Sequence, residues 1–521
     1  MNNIFTEDFK KVLLDEIPGF REFGHKFVNG EVSKMDFKKV SGGFGIYAQR
    51  DQKSFMIRLR VSCGAFTREQ LNKIYEVAKK YNVEKIHLTT RQAVQLHDLT
   101  IDEACDIMEE CIHKDIFTRG GGGNFPRNVA ISPLSGVDKD DKFDIVPYAL
   151  ACDNHFIKNS YKYKLPRKLK VSLASNDKDC SHCTVQDLGF VAEKDGIKEC
   201  FRVFFGGGIG RNPKLGIELG EIIEAKEILY HLDAMVLMFK TNGNYENKNK
   251  ARVRYMIDTL GEDGFRSEYK KALEEVKAKG GLDLVTLPID YEKNGFEIDL
   301  NHPRVFKQKQ KGLYSVYVHP VGGQFKLTDY KALLDELNEM ENIYVRSCMS
   351  EGFYILNLNG DEAKKLLDLT SSYSAETKLE QSVACIGVPI CQMGILRSQH
   401  LLEEIVKYFK ENNYTKDILP SLHIAGCPNS CAVPQIGIIG LSGKMKRVED
   451  VSSAVFELSI GGEVGVGHSK FGKVYGDIKE DEVKVFLLEL AKEVESSGLC
   501  FDDFINQKHD KLDEIVGKYL V

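Results

Sequence analysis

The chain has 521 residues and a formal net charge of -6, with acidic and basic residues interspersed. That length exceeds what one hydrophobic core supports, so three or four packed modules are expected, and the charge balance argues against a nucleic-acid or membrane-surface protein. The opening MNNIFTEDFKKVLLDEI has no apolar h-region and no stretch has the length of a bilayer span, so a cytoplasmic protein is expected, its 13 cysteines being reduced thiols and metal ligands.

Residues 1–45 read as an N-terminal arm. SFMIRLRVSCGAFT then predicts a strand and Gly turn, EQLNKIYEVAKKYN an amphipathic helix, and KIHLTTRQAVQLHDL a strand pair, which make a small α+β unit over 46–118. A further unit spans 119–284, with a polar surface loop near 240–250 and a helix from Arg252 to Gly280. Val285 to Lys311, with two prolines and no clean period, reads as a linker. LYSVYVHPVGGQFK, DYKALLDELNEM and IYVRSCMSEGFYILNL repeat the order of the first unit over 312–375, and a last unit covers 376–521.

The larger units match as well. Leu173 to Phe190 aligns without gaps on Ile424 to Leu441, setting Cys180 on Cys431 and Asn176 on Cys427. GGGIG at Gly206 to Gly210 falls on GGEVG at Gly461 to Gly465, in the same order. A duplicated plan explains the common order better than chance.

The second copy holds two cysteine pairs, Cys385 and Cys391 in ACIGVPIC and Cys427 and Cys431 in AGCPNSC. Four such thiolates form a soft site suited to an iron–sulfur cluster or structural zinc. Zinc ribbons usually leave about two residues between paired cysteines. The wider spacing here, with a helical segment between the pairs, suits the bulkier cluster. Nothing in the first copy resembles ACIGVPIC, so only the second can hold a complete cluster. Cys180 and Cys183 form a CxxC pair, but Cys152 and Cys200 lack the paired spacing of partners, and Cys180 reads as a relic of the repeat. His87, His182 and His423 read as structural.

The first copy is instead rich in cations. Alternation along strands puts Arg58 and Arg60 on one face, Arg91, Gln95 and His97 on one face, and Lys168 and Lys170 on one face. Arg127 and Asn128 follow the glycines of GGGGNFPRN. Taken singly, each set reads as a solvated strand face. Together they call for anions, since two like charges about 4 Å apart repel by about 4 kcal/mol at an effective dielectric near 20. FFGGGIGR, Phe204 to Arg211, lacks the third glycine of a dinucleotide fingerprint and reads as a backbone nest for carboxylates.

These motifs resemble those of the siroheme and 4Fe-4S sulfite and nitrite reductases, over nearly the whole chain. The resemblance implies an α+β fold of two pseudo-repeated halves. Each would be a ferredoxin-like α+β unit (46–118 and 312–375) followed by a siroheme/4Fe-4S-type α+β domain (119–284, siroheme-binding, and 376–521, 4Fe-4S and siroheme-binding), with 285–311 as linker. It implies that Cys385, Cys391, Cys427 and Cys431 hold the cluster, with Cys431 bridging to the siroheme. Arg58, Arg127, Lys168 and Lys170 would hold the substrate anion. Arg91, Gln95, His97, Asn128, Gly206, Gly207, Gly208, Arg211 and Asn429 would line the cofactors.

The implied reaction is six-electron reduction of sulfite to sulfide or of nitrite to ammonia. A lysine at the place of Lys170 resembles the sulfite-reducing members, which favours sulfite. No flavin or nicotinamide module is found, so a ferredoxin is the expected electron donor. Other readings are a non-catalytic iron–sulfur redox protein and a structural zinc protein.

Overall fold

Short alternating runs separated by glycine turns and by helices with defined caps build this chain. The computed structural model describes residues 5–521, so the first four residues of the predicted arm lie outside the described residues. The rest of the arm forms the helices Glu7–Asp15, Ile17–Val28 and Lys34–Ser41, the first and third capped by Thr6 and Ser33. Arg21 ties the arm to Asp102, Asp106 and Glu109 at 3.1, 2.7 and 3.1 Å.

The two smaller units each build a five-stranded sheet. The first runs in the order Ile46–Ala48, Phe55–Leu59, Val94–Leu99, Lys85–Leu88 and Gln324–Lys326. The second runs Val305–Lys307, Tyr314–Val318, Phe353–Leu358, Tyr344–Ser347 and Ala65–Phe66. Each sheet takes its last strand from the other half. Val345 pairs with Phe66, and Arg346 with Ala65. The helices Arg68–Lys80 and Ile101–Ile112 start in capping boxes, Thr67 with Gln70 and Thr100 with Glu103.

The predicted linker 285–311 is irregular up to the edge strand Val305–Lys307, which pairs antiparallel with Tyr314–Val318. The second sheet therefore begins inside it.

Two larger sheets follow one plan. One is ordered Ile217–Glu224, Lys198–Phe205, Leu188–Asp195, Val171–Ala174, Ala130–Ile131, and the other Val383–Ala384, Leu422–Ala425, Ile439–Val448, Val451–Ile460, Lys473–Lys479. Both join a parallel trio to a long antiparallel hairpin. Phe190, Phe201 and Phe205 are buried in the first core, and Ile424, Leu441 and Phe456 in the second, each apolar side chain stabilising by about 2 kcal/mol.

The backbone itself records the duplication. Left-handed conformations, uncommon outside glycine, recur at matched positions: Gln92 (φ 53°) and Glu351 (64°), Asp98 (60°) and Asn357 (66°), Asp179 (50°) and Ser430 (53°), His182 (61°) and Val433 (51°).

The chain divides into two compact units. The first holds residues up to Gly208, Lys214–Tyr317 and Phe325–Thr370, and the second Ile209–Pro213, Val318–Gln324 and Ser371–Val521. Among the described residues, no helix is long and apolar enough to cross a membrane.

Candidate active site

In the first unit, Arg58 lies in the strand Phe55–Leu59 directly opposite Gln95. Its Nη1 donates to Gly121 O at 2.6 Å. With the Gln95 amide oriented by its hydrogen-bonding network, the amide oxygen accepts from Arg58 Nη2 at 2.7 Å and Nε at 3.0 Å, and the nitrogen donates to His97 Nε2 at 3.2 Å. Burial, with Arg58 nearby, lowers the His97 pKa to about 4, so the ring is neutral near pH 7.

Arg127 is half-buried and held by its own loop. Its Nη1 donates to the carbonyls of Gly120, Gly122 and Phe125 at 3.2, 2.6 and 3.0 Å, and its Nη2 to Gly123 at 2.8 Å. Burial, with Arg58, Arg60 and Arg167 close by, holds its pKa below the usual guanidinium range. Tyr47 completes the loop by accepting the Gly123 N–H at 3.1 Å. A Cβ at residue 122 would fall 1.9 Å from the Tyr47 hydroxyl, so only glycine fits there.

Lys168 and Lys170 flank buried Leu169, which bridges Pro126, and both stay partly exposed. Asp187 fixes this stretch: its Oδ2 accepts the Lys170 N–H at 2.8 Å, and its two oxygens take Arg252 Nε and Nη2 at 3.3 and 2.8 Å.

One strand-face expectation needs correction. Arg91 does not share a face with Gln95 and His97, because Gln92 turns the chain between the strands, with its N–H bonded to Thr89 O at 3.1 Å. Its guanidinium is engaged by the Asn128 carbonyl at 3.0 Å, the Val171 carbonyl at 2.5 Å and the Gln186 side chain at 3.3 Å. Arg60, unlike Arg58, is paired with a carboxylate. It is buried in an ion pair with Asp153 at 2.7 Å. Buried Asn128 donates to Gln92 O at 3.0 Å, while its Oδ1 is buried without a partner.

In the second unit, the parallel strands Val383–Ala384 and Leu422–Ala425 end beside each other, and the two cysteine loops leave from those ends. Cys385 N donates to Ile424 O at 3.1 Å, and the N–H groups of Ile395 and Leu396 both reach Gly426 O, at 3.1 and 2.9 Å. Gly426 N–H donates to Cys385 Sγ at 3.2 Å. Burial, with Cys431 and Cys427 close by, pushes the Cys385 thiol up to about 12. Burial raises Cys427 too, against N–H donation from the backbone and side chain of Asn429, with Cys431 and Cys391 near.

Among the described residues, no group of three or more His, Cys, Asp or Glu is gathered as a single metal ion requires. Four soft sulfur donors with N–H groups aimed at sulfur fit a cluster, whose potential such bonds tune. The glycine stretch is divided between the units: Gly206, Gly207 and Gly208 belong to the first, while exposed Arg211 belongs to the second, where Gln435 donates to Gly210 O at 3.5 Å and to Ser430 Oγ at 2.8 Å.

Sequence reasoning did not single out Tyr47, Arg167, Arg252 or Arg254. Arg167 stands inside LPRKLK and carried a signal. Arg252 and Arg254 lie two apart at the start of the stretch read as a helix, and nothing in that stretch marked them. Burial, with Arg252 close by, lowers the Arg167 pKa.

Ferredoxin-like half units, the repeated larger sheets and the clustered thiols define the class. Residues 47–113 match the nitrite/sulfite reductase ferredoxin-like half domain, and residues 122–277 the nitrite and sulphite reductase 4Fe-4S domain. Over these residues the chain carries domains of the nitrite and sulfite reductases. Both matches fall in the first half, outside the four cysteines.

The chain is 26% identical over 468 residues to the chloroplastic ferredoxin–nitrite reductase of Arabidopsis thaliana, covering 85% of this chain and 77% of the relative. It is 25% identical over 471 residues to sulfite reductase [ferredoxin] 1 of Mycolicibacterium paratuberculosis, covering 85% and 82%. The fold is like that of the Mycobacterium tuberculosis NirA protein, with a TM-score of 0.79, 23% identity and 96% of each chain covered.

Proposed function

We propose that this protein reduces sulfite to sulfide in a six-electron reaction, with electrons from a ferredoxin, in the cytoplasm. The observation that carries this reading is a division of labour between the repeats. Only the second copy brings together Cys385, Cys391, Cys427 and Cys431, while the first supplies Arg58, Arg127, Lys168 and Lys170. Cys385, Cys391, Cys427 and Cys431 would hold a 4Fe-4S cluster, and a siroheme beside the cationic residues would supply, with the cluster, one-electron redox chemistry and a Lewis-acidic iron.

The protein's own residues handle charge and protons. Arg58 is held in place by Gly121 and Gln95, and Arg127 by its loop carbonyls, so both present fixed positive charge to an oxyanion without reorganising. Lys168 and Lys170 are the proton donors as S–O bonds break, with the Lys170 backbone pinned by Asp187. Neutral His97 orients the Gln95 amide and takes no part as an acid near pH 7.

Lys170 is the residue that favours sulfite. Nitrite reduction to ammonia is the second reading, supported by the ferredoxin–nitrite reductases among the similar proteins. Anaerobically purified protein should show tetrapyrrole Soret and red bands, and turnover with a reduced ferredoxin should give a higher kcat/KM for sulfite than for nitrite. A higher value for nitrite would replace the first reading with the second.

A further inference from the structure

Arg58 and Arg127 take their directions from four consecutive carbonyls. Gly121 O holds Arg58 at 2.6 Å, and the carbonyls of Gly120, Gly122 and Gly123 hold Arg127 at 3.2, 2.6 and 2.8 Å. A run of glycines has more backbone freedom to lose than any other sequence, so it does not keep that arrangement unaided.

The support comes from the N-terminal arm. Its turn Gly42–Phe44 lies backbone to backbone on the glycine run: Gly120 N–H donates to Gly43 O at 2.9 Å, and a Cβ on Gly42 would stand 3.0 Å from Gly123 N. Phe44 stacks on Phe20 of the arm, with ring centroids 4.2 Å apart, and the Arg119 guanidinium lies 4.3 Å from the Phe44 centroid.

Arg119 precedes the glycine run and sets where it starts. Its side chain is 14% exposed, its Nε is buried with no partner, and its Nη2 pairs with Glu16, which stands between the first two arm helices. Its carbonyl takes Arg60 Nη1 at 3.3 Å. A guanidinium this buried that lost its carboxylate would shift toward water, and the backbone entering Gly120 would shift with it.

We propose that Glu16 is a positioning residue for the anion site: by holding Arg119 it holds the start of the 120–123 run, and through the carbonyls of that run the directions of Arg58 and Arg127. This rests on the function proposed above. Glu16 lies outside the residues that match the nitrite and sulfite reductase domains.

The sign of the effect separates this role from through-space electrostatics. Removing a negative charge near an anion site favours the anion and lowers KM. Loosening the glycine run misdirects two cations and raises KM.

The test uses the cofactor-loaded protein, as wild type, Glu16→Gln, Glu16→Ala and Arg21→Ala, with whichever of sulfite and nitrite the wild type reduces at the higher kcat/KM. Arg21 is the control, because it ties the same arm to Asp102, Asp106 and Glu109 rather than to Arg119. Glu16→Ala should raise KM roughly fivefold and change kcat by less than about twofold, with Glu16→Gln between it and wild type. Arg21→Ala should leave KM within about twofold of wild type whatever its melting temperature. Amide hydrogen exchange over 118–124 should be faster in Glu16→Ala than in wild type and unchanged in Arg21→Ala. Should Glu16→Ala fail to fold or load, Glu16→Gln decides by the same readings.

An active wild type beside a Glu16 variant whose KM is unchanged or lowered overturns the role. So does a KM that rises as far in Arg21→Ala, which would make the arm a general brace, or a raised KM without faster exchange over 118–124. A wild type that reduces neither oxyanion defeats the proposed function itself, and this role with it.

Discussion

Arg58 and Gln95 stand opposite each other on adjacent antiparallel strands, and the Gln95 amide oxygen takes two N–H groups of the guanidinium at 2.7 and 3.0 Å. Gln95 thus fixes the direction in which Arg58 presents its charge. Gln95→Ala should raise KM for the oxyanion about tenfold, the loss of roughly one hydrogen bond to a charged group, with a smaller fall in kcat. Steady-state kinetics decide it, and an unchanged KM would mean that Arg58 holds its direction without Gln95.

His97 and His231 make the fold acid-sensitive. Burial lowers His97 to about 4 and His231 to about 3, below an unfolded value near 6.5. Between pH 6.5 and about 4 the unfolded chain binds protons that the folded chain refuses, so stability falls with pH at about 1.4 kcal/mol per unit for each ring. Urea melts between pH 7.5 and 5 should show this slope. His231→Gln should make it shallower, and a parallel pH dependence in that variant would count against the assignment.

Arg60 and Asp153 are 1% and 0% exposed and meet at 2.7 Å. Asp153→Ala leaves a buried unpaired guanidinium and should cost about 3–5 kcal/mol of stability, read from chemical denaturation. A loss below about 1 kcal/mol would show that water or a rearrangement reaches Arg60.

Lys170→Asn should lower turnover of sulfite more than that of nitrite, because it removes a proton donor and a positive charge from the larger, potentially dianionic substrate. Equal losses with both substrates would take away the reason for preferring sulfite.

Cys431→Ser should abolish spectroscopic coupling between the two prosthetic groups and most of the activity. Full activity in this variant would be incompatible with the proposed bridging sulfur.

Much of the architecture was readable because duplication wrote it twice. Strand, glycine turn, helix and strand pair recur in order, and the long strands alternate clearly. The exchanged strands were not readable: Ala65–Phe66 has two residues and Gln324–Lys326 three, too short to show a period. In the site, cysteine spacing gave a direct signal, since sulfur chemistry fixes the residue type. Arginine gives none of that kind. Whether Arg60, Arg91 or Arg254 faces an internal carboxylate, a carbonyl or nothing depends on chain segments far away in sequence. Strand alternation also failed at Arg91, where the left-handed Gln92 ends the strand's geometry.

The traded edge strands make the two copies obligate to each other. A fragment ending at residue 311 would keep Lys85–Leu88 as a naked border, because its neighbour Gln324–Lys326 would be missing. Such a fragment has an incentive to swap strands with another molecule. In the intact chain, the first small sheet cannot be completed until residues 324–326 have been synthesised, which joins the assembly of its early and late portions into one closing event.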